Sequence, residues 1–102
     1  MIKGISYLSF ENGLSNNESI DSALIQAQSN GFDALELSVS NEGVINTNLS
    51  ESECSAIRKK IDDSGVFVGS IATGMSWGIS PTSDDAEVRK NSIKLHQDAI
   101  RV

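Results

Sequence analysis

The chain has a single cysteine, a single proline, a single tryptophan and a single histidine among 102 residues. With Cys54 alone, an internal disulfide is impossible, and so is a zinc site built from four cysteines or from two cysteines and two histidines. Basic side chains are also scarce, eight against fourteen acidic ones, which leaves a formal charge of −6. An acidic surface repels phosphate backbones and anionic lipid, so neither nucleic acid nor membrane is an expected partner. No apolar run approaches the ~20 residues that span a bilayer. Residues 1–7 carry one lysine but no apolar core and no small-residue cleavage site, so no secretory signal is expected. The sequons at Asn17 and Asn48 matter only in a secreted chain, and a reducing cytoplasm is the expected location. Nucleotide motifs are missing too. No Gly-x-Gly-x-x-Gly follows a strand, and the P-loop-like spacing from Gly69 to Ser76 has Met75 where the phosphate-binding lysine belongs.

What is present is ordinary for one globular domain: 38% apolar residues and eight glycines exclude disordered and collagen-like readings. The patterning is a repeated strand–helix alternation. Residues 2–10 read as a strand, ending at the turn-forming Glu11-Asn12-Gly13. Ile20, Ala23, Leu24 and Ala27 follow the i, i+3, i+4, i+7 spacing of an amphipathic helix, which Asn30-Gly31 closes. Residues 32–39 alternate as a second strand. After a polar connection over 41–49, Ser50 and Glu53 form a capping box. Cys54, Ile57 and Ile61 then make a helical stripe that ends at Gly65, which places Cys54 as a small buried hydrophobe. Residues 66–72 form a short apolar run of the kind buried on both faces. A loop over 73–83 holds Trp77 and Pro81. Beyond it, Val88, Ser92, Leu95, Ala99 and Val102 line one face of a third helix that starts at Asp84 and Asp85, with Asp85 and Arg89 at ion-pair spacing and His96 at or near the surface.

Three strand–helix units predict an α/β fold with a parallel sheet, because parallel neighbours need a helical crossover. Strand parity favours a barrel over a doubly wound sheet. Leu35, Leu37 and Val39 suit a face under helices; Ala34, Glu36 and Ser38, with Val68 and Ser70, fall on the other. A strand glutamate is costly to bury without a partner and makes sense at a polar barrel mouth.

The order of motifs is similar to the xylose-isomerase-like barrels, a superfamily of sugar and sugar-phosphate isomerases and epimerases. Gly31-Phe32-Asp33-Ala34-Leu35-Glu36 resembles the segment that leads into their second strand, and Ser64-Gly65-Val66-Phe67-Val68-Gly69-Ser70 their helix-end glycine and third strand. The segment from Ser80 to Arg89 resembles the Ser-x-Asp-x-x-x-Arg entry to their third helix, and Lys3-Gly4-Ile5-Ser6-Tyr7 the first strand of the ketose 3-epimerase branch. The resemblance implies that residues 1–102 are the first three units of an incomplete (β/α)8 TIM barrel, since eight such units take about 250 residues.

It also implies a divalent metal, manganese, magnesium or similar, in the full barrel, and proton transfer on a ketose or its phosphate between paired glutamates. The metal ligands and proton-shuttling glutamates belong to later strands, so no catalytic residue and no metal ligand is carried over, and the segment alone is expected to be inert. Four residues are carried over as the near wall of a sugar pocket: Tyr7, Glu36, Ser70 and Trp77. The loop after strand three has no histidine, unlike the related barrels that cut DNA at abasic sites. The alternative is a non-catalytic half-barrel used for binding or assembly, with self-association through the helix-free sheet face.

Overall fold

A computed structural model describes all residues, 1–102. The first strand, β1 (Gly4–Ser6), is much shorter than the residues 2–10 that the pattern suggested. The chain coils at once into a 3-10 turn, Tyr7–Ser9, with the Ser6 hydroxyl accepting from the N–H of Leu8. It folds back so closely that a Cβ on Gly13 would sit 2.0 Å from the Tyr7 carbonyl oxygen. Only glycine fits there, and the strand cannot continue past the turn.

Helix α1 (Ile20–Ser29) is capped by Ser19, whose hydroxyl accepts from Ser22 N–H at 3.1 Å, and it buries the expected stripe of Ile20, Ala23, Leu24 and Ala27. It closes in a Schellman motif. Gly31 is left-handed at φ +75°, Phe32 N–H reaches the Ala27 carbonyl at 2.9 Å, and Gly31 N–H reaches that of Gln28 at 3.0 Å. Strand β2 (Ala34–Ser38) leads to α2 (Glu51–Ser64), where both bonds of the Ser50–Glu53 capping box are formed and Gly65, again at φ +75°, ends the helix.

Strand β3 (Phe67–Ala72) is followed by a short helix that the pattern did not reveal, α3 (Met75–Gly78), and then by α4 (Ala86–Arg101). Asp85 caps α4, accepting from Glu87 N–H at 2.8 Å. The expected pairing with Arg89 does not form: Arg89 donates instead to the carbonyls of Ser83 and Asp84, tying the loop to the helix start. No helix is long and apolar enough to cross a membrane.

The sheet is entirely parallel, in the order β1-β2-β3. Right-handed crossovers with sequential strand order put α1 and α2 on the same face. There they share one core with the helix-side residues of β2, Leu35 and Leu37, and with Val39 just beyond it, together with Tyr7, Phe10, Ile61 and Val66. Gln28 donates to the Ser64 carbonyl, and Lys60 pairs with Asp21 across the two helices.

The third unit is packed differently. Residues 66–72 were expected to be buried on both faces, yet Phe67 is 49% and Ile71 55% exposed. The reason is the placement of α4, which meets the body through its C-terminal half. Ala99 joins the core, and Arg101 donates to the carbonyls of Thr47 and Leu49. An open groove of about 940 Å³ remains, lined by α2, β3 and Val102. Cys54 lies on that groove, half-buried where full burial was expected.

Candidate functional site

The helix-free face of the sheet carries the strand residues that alternate with the core: Ser6 on β1, Glu36 on β2 and Ser70 on β3 stand in register across the three strands. That register depends on an irregularity. Leu35 pairs with Val68, but Glu36 pairs with Ser70, so Gly69 is an extra residue bulged out of the ladder. Without the bulge Ser70 would stand beside Leu37, on the helix side. With it, Ser70 Oγ donates to Glu36 Oε2 at 2.8 Å. The half-buried strand glutamate thereby gains the partner that its burial requires. The bulge also corrects the expected placement of Val68, whose partner Leu35 puts it on the helix side instead of beside Glu36.

Of the four residues assigned to a sugar pocket, Glu36 and Ser70 are brought together. Tyr7 is directed elsewhere. Its side chain is fully buried, its ring meets Phe10 edge-on with centroids 6.4 Å apart, and its hydroxyl donates to the Glu18 carbonyl. Burial, reinforced by the Glu18 charge, pushes its phenol above the ordinary tyrosine pKa. Trp77, on α3, stands in solvent at 94% exposure, with its indole beside Gly74.

Near the end of β1 lies a second polar cluster that sequence reasoning missed. Glu18 is buried, and its carboxylate accepts from Asn12 and Gln26 at 3.4 and 3.1 Å. Hydrogen bonding by Ser22 first, then by Asn12 and Gln26, holds its carboxyl below the usual glutamate range against the opposing effect of burial. Asn16, also buried, donates through Nδ2 to Ser40 Oγ and to the carbonyls of Glu42 and Ile45. It thus fixes the loop that follows β2. Gly43 at φ +96° allows this approach, since a Cβ there would lie 2.4 Å from the Asn16 carbonyl oxygen. Isolated asparagines and a glycine in a polar loop carry no periodic signal, and so no pattern announced the cluster.

A third arrangement lies between α3 and α4. Ser76 Oγ and His96 Nε2 are 2.9 Å apart, and His96 Nδ1 is 2.7 Å from the Ser92 carbonyl. His96 is half-buried, within the range expected of it; its pairing with a residue twenty positions earlier was not expected.

The divalent metal implied by the resemblance has no fitting ligand set here. No group of three His, Cys, Asp or Glu side chains could hold a metal, and Glu36 is the one carboxylate among the strand residues of the helix-free face. Comparison with known proteins finds no family model and no curated protein that matches this chain.

Proposed function

We propose that this chain forms the N-terminal (βα)3 portion of a sugar or sugar-phosphate isomerase or epimerase barrel, and that Glu36 and Ser70 supply part of its substrate-binding wall. The observation that carries this reading is the hydrogen-bonded Glu36–Ser70 pair on the helix-free face of a sequentially ordered parallel sheet. In a (β/α)8 barrel that face is the interior, and sites are built at the C-terminal ends of the strands. With the Ser70 hydroxyl donating to Glu36, the pair presents acceptors, the second carboxylate oxygen and the Ser70 Oγ lone pairs, to the vicinal hydroxyls of a ketose. Proton transfer between adjacent sugar carbons requires a group on each side of the reacting carbon and a cation on its oxygens. One carboxylate cannot fill all three roles, so this segment binds and orients, and the reaction depends on groups outside it.

The test is a titration of the 102-residue chain with ketoses and ketose phosphates, followed by backbone amide chemical shifts. Saturable shifts at Ser6, Glu36 and Ser70, abolished in Glu36→Ala, are expected. An absence of shifts at tens of millimolar sugar would overturn the reading. Incubation in deuterated water should give no exchange at the carbon beside the ketose carbonyl, and exchange catalysed by the segment alone would refute its dependence on outside groups.

A second reading, a non-catalytic module that self-associates through the helix-free face, draws on the exposure of Phe67 on that side of the sheet. Sedimentation of the chain over a range of concentrations separates the two. A dimer that Glu36→Arg dissolves favours assembly, and a monomer at all concentrations excludes it.

A further inference from the structure

We propose that Ser76 is a nucleophilic serine activated by His96, able to accept an acyl group from an aryl ester at a site between α3 and α4 that is separate from the Glu36–Ser70 face. A carbonyl oxygen only accepts hydrogen bonds, so the 2.7 Å contact to the Ser92 carbonyl places the ring proton on Nδ1. In the neutral ring Nε2 then carries the lone pair, and the Ser76 hydroxyl 2.9 Å away donates to it. Nucleophile, base and a group that orients the base are thereby in line, the arrangement that activates a hydroxyl otherwise too weakly acidic to react.

The surroundings fit an acyl acceptor. Ser92 is fully buried, so the carbonyl that locks the tautomer sits on a rigid part of α4. The backbone N–H of Ser76 donates to no protein acceptor, and a free N–H at the nucleophile is the kind of donor that meets a developing oxyanion. Trp77 follows directly and presents its indole to solvent, a platform on which an aromatic leaving group can stack. No ionisable side chain belongs to α3, and the charged groups closest to His96 along α4, Lys94 and Asp98, are paired with each other at 2.8 Å.

The step is an ordinary acyl transfer. Ser76 Oγ forms a bond to the ester carbonyl carbon while His96 Nε2 takes the hydroxyl proton. The bond from that carbon to the aryl oxygen then breaks, the aryloxide leaves with the proton from the imidazolium, and Ser76 remains as an ester.

The experiment treats the chain with p-nitrophenyl acetate, follows release of nitrophenol, and locates acetyl groups by peptide mapping. Preferential acetylation of Ser76 over all other serines is expected, with a rate that rises with pH along a single sigmoid. Because His96 is the sole histidine, its ring protons report its own titration without ambiguity. The two midpoints should coincide. His96→Gln should slow Ser76 acetylation about 100-fold, the usual scale of a general base. Ser76 reacting no faster than exposed Ser15, or a rate midpoint that departs from the His96 titration in the unaltered protein, would overturn the proposal and leave the pair as a tie between two helices. Neither result depends on sugar binding, so this proposal and the barrel reading stand or fall separately.

Discussion

Strands β2 and β3 are neighbours of similar length and both are apolar, yet one is the spine of the core and the other stands largely in solvent. Leu35 is fully buried and Leu37 nearly so, while Phe67 and Ile71 are about half exposed. Composition does not separate them. The difference is coverage: β2 has a strand on either side and α1 against one face, whereas β3 is an edge strand that meets α2 across an open groove and whose following helix packs elsewhere. A parallel strand becomes a core strand when its crossover helices arrive over it. The molecule is elongated in consequence, 45 × 27 × 24 Å, with a radius of gyration of 14.5 Å against about 13 Å for a compact chain of this size.

Truncation at matched positions tests the two strands against each other. Leu35→Ala should cost about 2–5 kcal/mol, a large share of the stability of a domain this size. Val68→Ala, at its register partner on β3, should cost less than about 1 kcal/mol, because that side chain is half-buried and its site can relax. Urea unfolding measures both; equal losses would mean that β3 is covered in solution.

Tyr7→Phe comes next. It leaves the buried Glu18 carbonyl without its donor, for a loss of about 1–3 kcal/mol. A mutation at an exposed tyrosine would leave stability unchanged, so a null result would place Tyr7 at an open surface. Ser50→Ala should cost about 1 kcal/mol by removing the cap of α2. It should speed amide exchange in the first turn of α2 while leaving α4, capped independently by Asp85, unaffected.

The smallest effect is the pH dependence of the two depressed carboxyls. Glu18 and Glu53 both have folded-state pKa values below the ordinary glutamate value, Glu53 chiefly through the Ser50 side chain. Their stabilisation is therefore complete above about pH 4.5, where the unfolded carboxyl ionises, and is lost as pH falls through the lower folded value. Glu18→Gln should flatten the acid limb of a thermal-melting series, and an unchanged limb would exclude Glu18 as its cause.

Much of the local structure was readable along the chain. Gly31, Ser50 and Gly65 act where their chemistry predicts, because a cap is decided by residues within one turn of it. The stripe Ile20, Ala23, Leu24 and Ala27 is buried as a block, and Ser92 and Ala99 are buried on α4. The candidate face was partly legible. The parity of β2 put Glu36 opposite Leu35 and Leu37, and Ser70 was assigned to the same face, although simple alternation with Val68 is not what puts it there.

What the amino-acid sequence determined by itself, then, is the order, type and limits of most elements, since helix caps and apolar periodicity act over three or four residues. The tertiary structure alone decided the bulge at Gly69 that seats Ser70 on Glu36, the inward turn of Tyr7 toward Glu18, the exposure of β3 and the meeting of Ser76 with His96. Each of these joins residues eleven to thirty-four positions apart or depends on where a whole helix comes to rest, and such contacts are selected by the packing of the complete chain.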